Sequence, residues 1–180
     1  RGVGLNLDAS IEMNTVIAAL RVNQEYLRRL GFMRFYNKKA AAEYAKKMIA
    51  EIDIRCTNSS QPCKRLSGGN QQKVSIAKAL AMNPEVLFIS EPTRGIDIGA
   101  KKLILNYLVQ LNRERHMTII MTSSELAELR SVCDRIAIVT EGKLAGILKP
   151  NDEEYKFGLL MSSAAGVTEE QKEVGNHAAD

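Results

Sequence analysis

Leu66-Ser67-Gly68-Gly69-Asn70-Gln71-Gln72-Lys73 and, further along, Val86-Leu87-Phe88-Ile89-Ser90-Glu91-Pro92-Thr93 are the stretches whose reading decides the fold. The first is opened by a serine and two glycines, after which Val74, Ala77, Leu80 and Ala81 fall on one side of a helix. Ser67 suits the N-cap, and the glycines leave backbone N–H groups bare at the positive end of the helix dipole, where an anion is welcome. Asn83-Pro84 ends the helix, so residues 70–82 are its expected span. The second stretch is a continuous apolar run that stops at a carboxylate. Such a run reads as a strand covered on both faces, and an α/β sheet puts its working residues at the carboxyl ends of its strands.

Outward from these stretches the chain alternates: a helix over 99–114, a strand over 117–122, a helix over 124–132, then strands over 136–140 and 143–148 joined at Glu141-Gly142. This predicts an α/β fold with a mostly parallel sheet flanked by helices and an antiparallel pair at its edge. Upstream the texture is helical. Ser10 is placed to cap a helix with Met13, Val16, Ile17 and Leu20 on one face, and residues 38–52 repeat the pattern through Ala41, Tyr44, Ala45, Met48, Ile49 and Ile52. The expected organisation is a helical subdomain over 1–63, the glycine-led helix and a partial α/β core over 64–149, and a C-terminal helix with a polar tail over 150–180. That last part is expected to fray beyond Val167. No internal repeat is visible.

At 180 residues, 45% hydrophobic and 26% charged, the composition is that of a globular protein. No apolar run approaches the roughly 20 residues a membrane helix needs, and no signal segment opens the chain, so a cytoplasmic location is expected. Cys56, Cys63 and Cys133 show neither disulfide nor zinc spacing and read as reduced thiols. The net charge of +4 is uneven. Residues 21–47 carry eight basic side chains against Glu25 and Glu43, a net +6, whereas residues 150–180 sum to −5. A basic face of this kind is most simply a solvated one, and aromatic and basic residues do not alternate as a nucleic-acid stacking platform needs, so no nucleic-acid partner is expected.

The strings LSGGNQQKVSIAKAL and PEVLFISEPTRGIDIGAK resemble the ABC-transporter ATPases, and among them the bacterial importers of ribose, galactose and xylose type. In that family two ATPase modules are fused in one chain, and this sequence looks like the later part of the second. The resemblance is strong over 64–102 and more diffuse before Gln61. It implies that ATP is sandwiched between modules, with Ser67, Gly68, Gly69 and Asn70 holding the γ-phosphate of a nucleotide bound on the other. A serine-capped helix with a tight glycine turn is the plainer reading of Ser-Gly-Gly alone; the surrounding residues weigh against it. The resemblance also makes Glu91 the catalytic carboxylate that polarises the attacking water. Asp97 in Gly95-Ile96-Asp97 becomes part of a loop reaching across the module interface, a role compatible with capping the 99–114 helix.

Two positions depart from the family pattern. Ser90 stands where an aspartate usually supports Mg²⁺, and a neutral hydroxyl does not replace that charge. Ser124, in Thr122-Ser123-Ser124-Glu125-Leu126, stands where a switch histidine usually meets the γ-phosphate. Second modules of sugar importers resemble one another in such serines, which supports the subfamily while weighing against hydrolysis at this module's own site. His116 and His177 read as surface residues. The phosphate loop G-x-x-x-x-G-K-[ST] does not occur, so the sequence reads as starting after the part that grips the β- and γ-phosphates, and the isolated chain is expected to be inactive. No metal ligands are expected in it. ATP and Mg²⁺ belong to the complete subunit. The implied partners are a module bearing the phosphate loop, a membrane permease and, through it, a sugar-binding protein, which places the chain peripherally at the inner face of the cell membrane. Self-association through an incomplete sheet stays open. So do two alternatives: a non-hydrolytic interaction module, and an ABC-type ATPase acting on nucleic acid or ribosomes.

Overall fold

A computed structural model describes residues 4–30 and 32–162, which form two compact units divided after Ser124. The expected frayed tail and His177 lie outside the described residues. The first unit runs α1 (Ile11–Val16), β1 (Leu27–Leu30), β2 (Met33–Tyr36), α2 (Lys38–Glu51), α3 (Gly68–Leu80), β3 (Val86–Ser90), α4 (Ile98–Arg115) and β4 (Thr118–Thr122). The second holds α5 (Leu126–Val132), β5 (Ile136–Thr140), β6 (Lys143–Leu148) and α6 (Glu154–Ser162).

The helix starts follow their caps. Ser10 Oγ accepts from the Met13 N–H, Asn37 Oδ1 from Ala40, Ser67 Oγ from Asn70 and Asp97 Oδ1 from Ala100, each satisfying a donor that the first turn leaves open. α1 is shorter than its apolar spacing suggests. It stops at Val16 and gives way to a 3-10 turn over Ala19–Arg21, so Val16 and Ala19 are buried while Ile17 is exposed. α2 buries Ala41, Ala45 and Met48, the expected face.

One core joins α1, α2, α3, α4 and β3: Ile11, Met48, Ile52, Val74, Ala77, Leu80, Leu87, Ile104, Leu108, Leu111 and Met117 are buried in it. Within it Tyr44 Oη donates to the Ala77 carbonyl at 2.7 Å, tying α2 to α3. Asn14, also buried, accepts from the Asn6 N–H at 2.8 Å and donates back to the Asn6 carbonyl at 2.8 Å, which fixes the segment preceding α1. In the second unit Ile136, Ile138 and Phe157 form the core, and Arg130 lies over the Phe157 ring, 5.3 Å from its centre.

β3 and β4 pair in parallel, in register from Val86↔Thr118 to Ser90↔Thr122, as the alternation predicts. The parallel pairing goes no further among the described strands: β5 pairs antiparallel with β6 alone, and β1 with β2. The strands are not covered on both faces either. Leu87 is buried and Ile89, Ile119 and Met121 pack against the core, but Phe88 is 72% exposed and Val86 and Ile120 are exposed beside it. Period-2 alternation sends these residues to the side that neither α3 nor α4 covers. The β5–β6 turn is as expected, with positive φ at both Glu141 and Gly142. Gly142-Lys143 is the chain's Gly-Lys pair; it sits in this turn and leads into Leu144, so it is not a phosphate loop. The β1–β2 hairpin is new: the sequence reads as a mostly helical lobe before residue 60, with no strand in it.

Candidate functional site: the start of α3 and the carboxyl ends of β3 and β4

The first turn of α3 is pinned from two sides. Asn70 Nδ2 donates to Ser67 Oγ at 2.9 Å, while Asn70 Oδ1 accepts from the Arg55 backbone N–H at 2.9 Å, so the loop after α2 is latched to the helix start. One turn on, the Lys73 ammonium is buried; it donates to the Asp53 carbonyl and lies 3.8 Å from the Asp53 carboxylate. Burial pulls the Lys73 pKa below its ordinary value and the Asp53 charge pulls the other way. Asp53 holds a φ of 49°, a conformation that short polar residues tolerate better than branched ones. Gln71 Nε2 donates to the carbonyls of Cys63 and Leu66, bracing the approach to Ser67.

Gly68 and Gly69 differ in what surrounds them. A Cβ on Gly68 would meet nothing within 4 Å, whereas one on Gly69 would lie 3.5 Å from Ile96 Cγ1 and 3.8 Å from the Gly95 carbonyl oxygen. The glycine-led helix start and the Gly95–Asp97 loop are therefore neighbours. Gly95 carries a φ of 74°, which turns the chain there. Asp97, at the end of this loop, is exposed and caps α4; the Ala100 N–H holds its carboxyl below the usual range, with the positive charges of Arg55 and Lys73 adding to the effect.

At the other end of the sheet pair the Glu91 N–H donates to the Thr122 carbonyl at 2.8 Å, which carries the pairing one residue past β3. Glu91 then turns with φ 48° over the buried Pro92 and Thr93. Its carboxylate is engaged twice by one residue: Oε1 accepts from the Ser124 N–H at 2.8 Å and Oε2 from the Ser124 hydroxyl at 3.3 Å. Ser90 Oγ accepts from Thr122 Oγ1 at 2.9 Å. Glu91, Ser90 and Ser124 thus share the carboxyl ends of β3 and β4. His116 is not part of this site; it is the left-handed, exposed C-cap of α4.

A family model described as ABC transporter matches residues 5–94, half the chain. The chain belongs to the ABC transporter family. Along 99% of its length it is 40% identical to a ribose import ATP-binding protein of Rhizobium meliloti, of which it covers 34%. It is 41% identical over 160 residues to a galactose/methyl galactoside import ATP-binding protein of Treponema pallidum, covering 89% of this chain and 31% of that one. The chain therefore spans about a third of the length of these curated relatives. In fold it is similar to an ATP-binding cassette solved as a dimer in a post-hydrolysis state with ADP and Pi, with a TM-score of 0.67 at 22% identity, covering 83% of this chain and 60% of the cassette. The expected α/β class, as an incomplete ABC ATPase domain, holds.

The Gly68 and Gly69 N–H groups and the Ser67 hydroxyl, at the head of a 13-residue helix, form a helix start that suits an anion. The Ser90 and Thr122 hydroxyls bond each other, the Glu91 carboxylate is taken up by Ser124, and no group of three His, Cys, Asp or Glu among the described residues could hold a metal. These donors do not fit Mg²⁺ by themselves. Two crevices, of about 250 and 450 Å³, lie along α4 around Glu51, Tyr107 and Gln110, and none of Ser67, Glu91 or Ser124 lines them. No described helix is long and apolar enough to cross a membrane. The sequence reading missed the grip of Ser124 on Glu91 and the Asp53–Lys73 latch. The first pairs residues 33 positions apart, which no local pattern reveals. For the second, a lysine among the inward positions of α3 was a usable signal, since a buried ammonium needs a partner.

Proposed function

We propose that this chain lends its α3 start and its β3 carboxylate to an ATP sandwich in the ATP-binding subunit of a sugar-type importer. Ser67, Gly68, Gly69 and Asn70 hold the γ-phosphate of a nucleotide whose remaining contacts come from a module bearing a phosphate loop. The observation that carries this is the packing of Gly69 against Gly95–Ile96, which sets the anion-binding helix start beside the Asp97 loop in one unit. Closure of the sandwich presses on that loop, and Asp97 is exposed there to meet the other module. In this reading residues 1–63 are a helical subdomain, with residues 11–50 meeting the permease; residues 64–149 are the ATPase core; residues 150–180 are a C-terminal extension. The assembly works at the inner face of the cell membrane, and the permease and a sugar-binding protein choose the sugar. Glu91 polarises the attacking water, and the complete subunit supplies the Mg²⁺ ligands that Ser90 does not.

Ser67→Arg in the intact subunit tests the assignment, because it puts bulk and a cation where the γ-phosphate ends. ATP hydrolysis coupled to transport should fall by about 10²-fold or more, the scale of losing a transition-state donor; unchanged hydrolysis would overturn it. In calorimetry with Mg-ATP, this chain alone should show no binding, and binding or turnover should appear with a phosphate-loop module added.

A second reading, a module that completes the sandwich without hydrolysing at its own site, is favoured by the double hydrogen bond that Ser124 makes to Glu91. Glu91→Gln in the intact subunit separates the two. A collapse of turnover supports the catalytic role, and near-normal turnover supports the non-hydrolytic one.

A further inference from the structure

The β1–β2 hairpin divides into an anchored base and a bare tip. At the base Tyr26 is buried, with its ring 5.8 Å from that of Tyr44 and inclined at 64°; the Asn37 N–H donates to the Tyr26 carbonyl at 2.9 Å, and Leu27 and Tyr36 are half-buried opposite each other. Beyond that pair Arg28, Arg29 and residues 32–35 are exposed. Arg28 faces Phe35 and Arg29 faces Arg34 across the strands, and Met33, Arg34 and Phe35 are all exposed. Phe32, in the connection between the strands, is 96% exposed.

Two arginines directly opposite on a hairpin repel each other, and neither they nor Arg28 has an acidic partner among the described residues. An external anion between Arg29 and Arg34 removes the repulsion. On the other face Arg28, Met33 and Phe35 combine apolar surface with a cation, and Phe32 caps the end. Apolar and aromatic groups at the tip of a hairpin, ringed by arginines, match the two parts of a membrane interface: a hydrocarbon boundary and a layer of phosphates.

We propose that the distal part of the β1–β2 hairpin docks on an anionic lipid surface. Phe32, Met33 and Phe35 enter the headgroup boundary while Arg28, Arg29 and Arg34 pair with lipid phosphates. The inference rests on the hairpin's own residues, and within the segment proposed above to meet the permease it assigns Arg28, Arg29 and Phe32–Phe35 to lipid rather than to protein.

The chain has no tryptophan, so Phe32→Trp in the full chain places a single reporter at the tip. Its emission should shift to the blue with phosphatidylglycerol-containing vesicles and stay unchanged with pure phosphatidylcholine, and salt should reverse the shift. In co-sedimentation, Arg29→Glu with Arg34→Glu should weaken vesicle binding by at least about fivefold per arginine lost. Phe32→Ser with Phe35→Ser should weaken it without changing the far-ultraviolet dichroism. Lys143→Glu with Lys149→Glu, in the second unit, makes the same charge change and should leave binding within about twofold. An equal loss in that control would reduce the effect to net charge and overturn the proposal. Emission indifferent to both vesicle types would overturn it too and leave the tip to a protein groove.

Discussion

Glu91 shows how a single residue can be placed by its neighbours against its own preference. A glutamate at φ 48° is strained relative to a glycine there, and the two bonds from Ser124, the bond to Thr122 and the buried Pro92 and Thr93 together hold it in place. Caps act at the same scale. Asn37→Ala removes both the oxygen that accepts from Ala40 and the Nδ2 donor to the Glu25 carbonyl and should cost about 1 kcal/mol or more in urea unfolding, whereas Asn37→Asp keeps the capping oxygen, loses the Glu25 bond and should cost less than the alanine. Asp97 adds a pH dependence. Its folded pKa is lowered, so its contribution is present above its ordinary value of 3.8 and disappears as pH falls through the folded value. Asp97→Asn keeps a capping oxygen but does not titrate, so it should flatten the acid limb of stability without erasing the cap; an unchanged acid limb would contradict this account.

Elements were legible where a local signal and a buried face agreed. α2, α3 and α4 have both, and their spans match the sequence reading within about two residues, the usual uncertainty of a helix end, while the exposed β5–β6 turn follows from its local Glu141-Gly142 signal alone. The β1–β2 hairpin was missed because its exposed strands mix arginines with apolar residues, so no period-2 contrast survives, and α1 was overextended because Ile17 fits the spacing yet points to solvent. Among site residues, Ser67 and Asp97 could be placed from the chain alone because capping is local, and the link from Glu91 to Ser124 could not because the parallel pairing of β3 and β4 creates it. In the second unit β6 and α6 meet closely at Gly146, where a Cβ would sit 2.7 Å from Leu160 Cδ1. Gly146→Val should therefore destabilise by about 1–3 kcal/mol, and Leu160→Ala in the same chain should recover part of that loss. Simple additivity of the two variants would mean that the close approach does not limit the packing.

Across the whole molecule, several acidic groups that titrate above neutrality are held protonated by the fold. Burial raises the Cys63 thiol to about 11, with the Asn14 hydrogen bond opposing the shift. Burial also raises Tyr44, and raises Tyr107 together with the hydrogen bond that its hydroxyl gives to Glu51 at 2.6 Å. A group whose folded pKa is raised contributes stability that is complete below its unfolded pKa and is lost as pH climbs toward the folded one, because the unfolded chain releases the proton first. Their ordinary values are 9.0 for the thiol and 10.0 for the phenols, so urea midpoints should be level to about pH 9 and then fall continuously. Tyr44→Phe separates this titration from general alkaline unfolding. The variant loses the bond to the Ala77 carbonyl and should be about 1 kcal/mol less stable at pH 7, yet its alkaline decline should be shallower, so the two stability curves converge as pH rises. Parallel curves would show that the Tyr44 hydroxyl titrates alike in the folded and unfolded chains.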